Sequence, residues 1–196
     1  MGKFLIACIA ILVIFGGCGV TTYNGLVTQD ETVDSSWSEI QNQYKRRFEL
    51  IPQLVATVKG AANFEKSTML EVTQARSAVG KLSSDDGALK DPAQREAYMK
   101  AQKTLGSSLG RLMVTVERYP DLKASQNFMG LQDQLEGTEN RIGAARRDYI
   151  DSIKVFNSRV RKFPGNIVAG MFGFERREKM KFDEGESAVP GFDFND

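Results

Sequence analysis

Three carboxylates are spaced closely enough to act together. Asp133, Glu136 and Glu139 recur every three residues, so a helix through them would carry all three along one side. Inward-facing carboxylates bind pairs of metal ions in some helical bundles, but those sites also use histidine ligands, and this chain has no histidine. We therefore expect Glu139, which comes closest to an apolar stripe, to be a structural acid paired with an arginine such as Arg76 or Arg111.

The missing residue types exclude several kinds of active site. Without histidine, the chain lacks the commonest general base and the commonest zinc ligand. Its two cysteines, Cys8 and Cys18, lie near the amino terminus, so the rest of the chain can form neither a Cys-His nucleophile nor a disulfide. A net charge of +1 gives no sign of nucleic-acid binding. We predict a protein that is not an enzyme and that uses no cofactor, metal or nucleic acid.

Cys18 is a candidate site of covalent lipid attachment. Phe15-Gly16-Gly17-Cys18 resembles a lipobox, in which small residues precede a cysteine that receives lipid, although Phe15 stands where Leu, Val or Ile is usual. The apolar run Phe4–Phe15 could instead remain as a single-pass helix, for which about 20 apolar residues are wanted. We favour the uncleaved helix over the lipoprotein, because the run leads almost directly into a helical pattern.

Charges on either side of the run predict its orientation. Lys3 precedes it, and the next cation is Lys45, with several acids between them. Positive charge is retained in the cytoplasm, so we expect residues 1–22 to anchor the chain in the bacterial cytoplasmic membrane with the amino terminus inside and the rest outside. Under the lipoprotein alternative, the same domain is also held at a membrane.

Past the anchor, apolar residues recur at spacings of three and four, the period of amphipathic helices, and no segment shows the alternation of strands. The first stripe keeps its phase across Pro52, so we expect a kink there and a stop at Lys59-Gly60, with a break at Pro52 as the alternative. Residues 23–163 are therefore predicted to form an all-α antiparallel four-helix bundle with long helices. The predicted helices run from Leu26 to Lys59, from a cap at Asn63 through Val79, from Ala93 to Tyr119 and from Leu122 to Arg161, with a loop over Ser83–Pro92.

Arg46 and Arg47 are two adjacent cations that could recognise an anionic partner, such as a lipid headgroup or a cell-wall polymer. The alternative is a solvated helix face with Glu49 nearby. We favour the solvated face, because neighbouring residues on a helix cannot both point at one spot.

The last part of the chain, residues 164–196, is predicted to be a loop followed by a partly disordered tail. Its apolar segment Ile167–Phe174 is too short to span a membrane and could cover an open end of the bundle or dip into a surface. The surrounding cations could contact the surface of a membrane, or they could belong to an ordinary soluble tail, and both interpretations stay open. The candidates for an interaction in this region are Phe163, Pro164, Phe172 and Phe174. The surrounding cations are Arg159, Arg161, Lys162, Arg176, Arg177, Lys179 and Lys181. The possible weak anchors in the tail are Phe182, Val189, Phe192 and Phe194.

Several short motifs follow one another in a recognisable order between about Val20 and Phe194. They include Arg46-Arg47-x-x-Leu50-Ile51-Pro52, Val58-Lys59-Gly60, Ala75-Arg76, Tyr119-Pro120-x-Leu122-Lys123-Ala124, Thr138-Glu139-Asn140, Phe156-Asn157 and Phe163-Pro164-Gly165-Asn166. Together they resemble the signature of the LemA family. The resemblance implies an amino-terminal membrane helix followed by an antiparallel helical bundle, and it implies no activity, since the family has no established biochemical function. Members commonly carry tyrosine and histidine where this chain has Ala61 and Phe64, so no role of that histidine applies here.

These observations predict a membrane-anchored, non-enzymatic scaffold or adaptor of the cell envelope that binds envelope proteins or copies of itself. One alternative is direct binding of anionic lipid or cell-wall polymer through basic residues. Another is an enzyme or metal-binding bundle that works through carboxylates.

Overall fold

The computed structural model describes residues 2–61, 64–83 and 92–178, and all the regular structure in these ranges is helical. The prediction of an all-α chain is confirmed. The predicted cap at Asn63, most of the loop over Ser83–Pro92 and the predicted tail anchors lie outside the described residues. The helices are α1 (Gly2–Lys59), α2 (Lys66–Ser83), α3 (Pro92–Val116), α4 (Pro120–Lys123), α5 (Gln126–Arg161) and α6 (Gly165–Phe172).

Helix α1 is continuous from the apolar amino-terminal run into the packed part of the molecule. Its stripe is buried as predicted, through Leu26, Val33, Trp37, Ile40 and Tyr44. Several large apolar side chains nearer the amino terminus are exposed instead, among them Phe4, Ile6 and Val13. Of the helices in the described ranges, none is long and apolar enough to cross a membrane.

The predicted stop of α1 at Gly60 is confirmed, and the alternative break at Pro52 is wrong. The helix continues through Pro52 to Lys59, where the Gly60 amide donates to the Thr57 carbonyl. Proline has no amide hydrogen, so the carbonyl of Phe48, four residues earlier, loses its usual helical donor. The Arg76 guanidinium of α2 replaces that donor, because its Nε lies 3.3 Å from the Phe48 carbonyl oxygen.

Of the described residues, 2–41 and 144–178 form one compact unit, and 42–143 form another. In the first unit, the beginning of α1 runs antiparallel to the end of α5. Trp37 meets Tyr149 with 5.5 Å between ring centroids, and further toward the amino terminus Gly25 meets Arg159. Helix α6 packs into the first unit through Val168 and Ala169, which are buried.

The second unit combines the end of α1, helices α2 to α4 and the beginning of α5. Helix α2 runs antiparallel to α3, since Glu65 pairs with Arg118 and Glu71 with Arg111. Helix α1 runs in the same direction as α3, because Tyr44 meets Tyr98 and Arg47 meets Gln102. The core of this unit consists of Leu54, Val58, Val72, Leu105, Leu112, Leu131, Leu135 and Ile142.

The predicted single helix from Leu122 to Arg161 is wrong in one place, because the structure divides it into α4 and α5 at Ala124-Ser125. The Ser125 hydroxyl accepts a hydrogen bond from the Phe128 amide at 3.3 Å, so Ser125 acts as a cap for α5. The predicted end of α3 at Tyr119 is also late, since the helix stops at Val116 and a turn follows.

Candidate functional site

The second unit contains a buried polar cluster that we call the Arg47 cluster, made of Arg47, Gln102 and Glu139. Arg47 Nη1 donates to Glu139 Oε1 at 2.8 Å. Arg47 Nη2 donates to the Gln102 carbonyl oxygen at 2.9 Å and to Gln102 Oε1 at 2.6 Å. Only 2% of the Arg47 side chain and 20% of the Glu139 side chain are exposed. The cluster therefore joins α1, α3 and α5 in the interior of this unit.

The solvated-face prediction is wrong for Arg47, although it describes Arg46, which is exposed. Tyr44, Arg47 and Ile51 lie three and four residues apart, so Arg47 occupies a position of the buried stripe. Opposite it, Gly106 leaves room, because a methyl group at Gly106 would stand 3.3 Å from Arg47 Nη1. Together, the stripe position of Arg47 and the small residue facing it are the sequence signal that could have revealed the buried arginine.

Glu139 is paired with an arginine as predicted, but the partner is neither Arg76 nor Arg111. Arg76 lies over the Phe48 ring, with 3.9 Å from its guanidinium carbon to the ring centroid. Arg111 forms an exposed ion pair with Glu71 at 2.9 Å, which contributes little to stability. Glu139 pairs instead with Arg47, and because both side chains are largely buried, breaking this pair should cost more stability than breaking an exposed one.

Tyr98 is a buried side chain that borders the Arg47 cluster. Burial raises the pKa of the Tyr98 hydroxyl above its ordinary value of 10.0, although its hydrogen bond with Gln102 acts in the opposite direction. Within the described residues, no group of three or more acids or cysteines is arranged to hold a metal ion. Both terminal nitrogens of the Arg47 guanidinium are bonded inside the cluster, whereas its Nε is buried without a hydrogen-bond partner among the described residues. The arrangement is that of a buried ion pair with a bonded amide beside it.

The first unit holds a second polar arrangement, centred on Arg177 after α6. Its guanidinium donates to Asp30 of α1 at 2.8 and 3.1 Å and to Asp34 at 3.3 Å. Asn157 of α5 bonds both the amide and the carbonyl of Arg177. Burial works against the charged form, but the hydrogen bond to Asp30 and the charges of Asp30 and Asp34 outweigh it and raise the pKa of Arg177. The segment following α6 is thereby fastened to both α1 and α5.

We did not predict this fastening from the sequence, where Arg177 was one member of a basic group. Asp30 and Asp34 lie four residues apart and therefore share a face of α1, which makes them a receptor for one cation. That spacing is a usable signal, but it does not say which of the many downstream cations binds.

Beside α6 lies a groove of about 860 Å³, which we call the basic groove. Helix α1 contributes Thr21 and Thr22, and α5 contributes three cations and one acid beside Ser158; they are Lys154, Arg159, Lys162 and Asp151. Arg159 is partly engaged, since its Nη1 donates to the Gly25 carbonyl at 2.6 Å. A neighbouring depression of about 520 Å³ adds Arg161 and Arg176. Cations from two separate segments thus line adjoining depressions of the first unit.

Two of the predicted site residues contact the same aromatic ring, while the others lie elsewhere in the two units. Phe172 and Phe174 both pack on Tyr23 of α1, with ring centroids 4.7 and 5.8 Å away. Phe163 and Pro164 connect α5 to α6, and 75% of the Phe163 side chain is exposed. Cys18 is exposed on α1 in the first unit. Arg46 and Arg47 belong to the second unit.

The sequence carries the pattern of a known family over most of its length. The model of the LemA family matches residues 36–194. The chain belongs to the LemA family. This assignment confirms the resemblance in the motifs, and the matched residues include the Arg47 cluster, α6 and the basic cations of α5.

Individual relatives of this LemA-family chain come from several bacteria. Magnetosome protein MamQ 2 of Paramagnetospirillum magneticum is 28% identical, over 80% of this chain and 63% of its own length. Magnetosome protein MamQ of Magnetospirillum gryphiswaldense is 27% identical with the same coverage. Protein LemA of Metamycoplasma hominis is 32% identical, over 74% of this chain and 63% of its own length. The chain thus spans about 63% of the length of the curated relatives it matches.

Proposed function

We propose that this LemA-family chain is a membrane-attached helical scaffold or adaptor of the bacterial envelope, which binds envelope proteins or further copies of itself. The observation that carries the proposal is the continuity of α1, which includes both the apolar run and the buried stripe of the packed units. The same helix therefore carries the proposed attachment segment and contributes to the core of each unit.

For the attachment itself, we propose residues 1–22 as a single-pass anchor with the amino terminus in the cytoplasm. Phe4, Ile6 and Val13 expose their side chains in the described structure, and a hydrocarbon environment would cover them. The absence of cations between Lys3 and Lys45 supports the orientation. Acylation of Cys18 is the competing form of attachment, and the exposure of that thiol permits it.

We further propose that the helices of the second unit form an antiparallel four-helix bundle. The pairs Glu65–Arg118 and Glu71–Arg111 set α2 against α3, and Tyr44–Tyr98 sets α1 along α3. These directions suit an up-down-up-down order, in which each helix is antiparallel to the next.

A non-enzymatic role is supported by the pairing of Glu139, the carboxylate that comes closest to the apolar stripe of its helix. Glu139 already accepts a hydrogen bond from Arg47, so its charge is neutralised inside the protein. The names of the relatives, magnetosome protein and LemA, state no reaction. Arg47 is likewise committed to internal bonds, which leaves Arg46 as the exposed member of that pair.

The experiment that tests the scaffold role is site-specific photocrosslinking in native membranes. Leu70 of α2 and Val114 of α3 are exposed apolar side chains near the Glu71–Arg111 ion pair, and each can be replaced by a photoreactive amino acid. Lys100, an exposed polar position of α3, provides the matched control. We expect discrete crosslinked products with an envelope protein or a second copy from Leu70 and Val114, and none from Lys100.

Two results would contradict this proposal. Copurification of lipid or glycan alone, without any protein crosslink at either position, would favour the direct-binder alternative. Stoichiometric metal in the purified full-length protein would favour the carboxylate-based alternative.

A further inference from the structure

Helix α6 packs with one side and leaves the other uncovered. Val168 and Ala169 are buried, whereas Ile167 and Met171, four residues apart on one face, are exposed together with Phe172. The exposed fraction of the Met171 side chain is 74%. We call Ile167 and Met171 the apolar face of α6. Phe172 lies on the side of Val168 and Ala169 and packs on Tyr23, with 4.7 Å between ring centroids. Ile167 and Met171 thus leave two large apolar side chains on neighbouring turns in contact with water.

The chain around this face is strongly basic. From residue 151 to residue 177 it contains six cations and two acids, Glu175 and Asp151, of which Asp151 lines the basic groove. Arg159 and Arg177 have internal partners. In the described part of the chain, the other four form no ion pair, and they line the basic groove or the depression next to it; they are Lys154, Arg161, Lys162 and Arg176.

The position of the basic groove along α1 relates both features to the proposed anchor. Thr21 and Thr22 line the groove, and Tyr23 contacts Phe172, immediately after the apolar amino-terminal segment. From Phe4 to Val20 a helix rises about 26 Å, comparable to the roughly 30 Å hydrocarbon core of a bilayer. If this segment is in the membrane, Thr21 to Tyr23 are at the level of the headgroups, and so are the parts of α5 and α6 that contact them.

We infer that the apolar face of α6 and the basic groove form a second membrane contact, which binds anionic phospholipid headgroups at the surface of the membrane that holds the anchor. The apolar face enters the boundary between headgroups and acyl chains, and the cations of the groove receive the phosphates. The Thr21 and Thr22 hydroxyls already donate to the Gly17 and Cys18 carbonyl oxygens at 2.9 and 2.7 Å. Among the hydroxyls that line the groove in the described structure, Ser158 is therefore the neutral donor for a phosphate. The inference rests on the proposed membrane attachment, because the attachment places this surface at headgroup level.

The test uses hydrogen–deuterium exchange of the full-length protein in lipid nanodiscs. One set contains phosphatidylcholine alone, and the other contains equal parts phosphatidylcholine and phosphatidylglycerol. Each cation near an anionic surface favours the bound state by about 1 kcal/mol, or roughly fivefold. We therefore expect amides of α6 to exchange at least about fivefold more slowly in the anionic discs than in the neutral discs.

Two variants remove the two halves of the surface, and a third controls for charge. Arg161→Glu with Lys162→Glu should abolish the dependence of α6 exchange on phosphatidylglycerol, and Ile167→Ser with Met171→Ser should speed exchange in anionic discs. Lys45→Glu with Lys100→Glu makes the same charge change at exposed positions of the second unit and should leave α6 exchange unaltered. Unchanged protection of the amides around Asn157 verifies that the first unit of each variant is folded.

Different outcomes of this experiment would contradict the second membrane contact and the membrane anchor. Equal α6 exchange in both kinds of disc, with residues 4–15 protected in both, would overturn the second contact and leave the membrane attachment standing. Free exchange of residues 4–15 in both discs would overturn the attachment. A loss of lipid dependence in the Lys45/Lys100 control equal to that in the Arg161/Lys162 variant would also overturn the inference, since any loss of positive charge would then suffice.

Discussion

At the scale of single residues, Arg47 is a buried cation whose partners lie on two other helices. A buried guanidinium is costly to desolvate, and its bonds to Glu139 and Gln102 compensate for that cost. Arg47→Met should lower the free energy of unfolding by about 3 kcal/mol, because it leaves the Glu139 carboxylate without its cation. Urea unfolding of the full-length protein followed by circular dichroism measures this change.

Arg46 provides the control for that prediction, since it is adjacent, identical in type and exposed. Arg46→Met should change the free energy of unfolding by no more than about 0.5 kcal/mol. Adding Glu139→Met to Arg47→Met should restore part of the lost stability, because no buried charge then remains unpaired. Equal costs for Arg46→Met and Arg47→Met would contradict the buried ion pair.

Tyr98 makes a separate prediction about alkaline pH. Burial raises the pKa of Tyr98 in the folded protein above 10.0, so in the interval above pH 10 the unfolded chain loses this proton first. The stabilisation is thus complete below the unfolded pKa and is lost as the pH rises through the folded pKa. Stability should fall more steeply above pH 10 in the wild type than in Tyr98→Phe. Parallel unfolding curves for the two proteins across that interval would refute the assignment.

At the scale of elements, Pro52 and Arg76 should be energetically coupled. Pro52 deprives the Phe48 carbonyl of its helical donor, and Arg76 supplies a replacement from α2. Arg76→Met should cost about 1.5 kcal/mol in the wild type, from the hydrogen bond and the contact with the Phe48 ring. In a Pro52→Ala background the cost should fall to about half, since the restored amide satisfies the carbonyl. A double-mutant cycle measures the coupling, and strict additivity would disprove it.

The seating of α6 makes a second prediction at this scale. A methyl group at Gly165 would overlap the carbonyl oxygen of Arg159, whereas one at Gly170 would meet nothing within 4 Å. Gly165→Ala should therefore destabilise the attachment of α6 by about 2 kcal/mol. Gly170→Ala should stabilise the helix by up to about 1 kcal/mol, since alanine is the better helix former. Hydrogen exchange of residues 165–178 compares the two variants, and identical effects would contradict the close contact between Gly165 and the Arg159 carbonyl.

The elements themselves were largely predictable from the sequence, for a definite physical reason. Burial of one face imposes a 3.6-residue period, so the stripes of α1, α3 and α5 are visible in the chain without knowledge of their partners. The break at Ser125 was missed because the apolar stripe continues across it while only a local cap marks it. The partners of Arg47 and Arg177 were missed because pairing between distant segments depends on how helices pack, which periodicity does not specify.

At the scale of the whole molecule, we propose that α1 runs without a break from a membrane-embedded segment into the packed residues. The two alternatives for attachment differ in covalent structure. A spanning helix retains the residues before Cys18, whereas a lipoprotein is cleaved there and carries lipid on the cysteine. The basic groove and the apolar face of α6 lie next to this junction in either case.

Mass spectrometry of the protein purified from bacterial membranes after alkaline washing tests this claim most directly. We predict that the protein remains in the washed membranes and that its amino-terminal peptides read continuously from Phe4 through Cys18 to Lys45, with an unmodified thiol at Cys18. Peptides that begin at an acylated Cys18, or release of the protein by the alkaline wash, would contradict it.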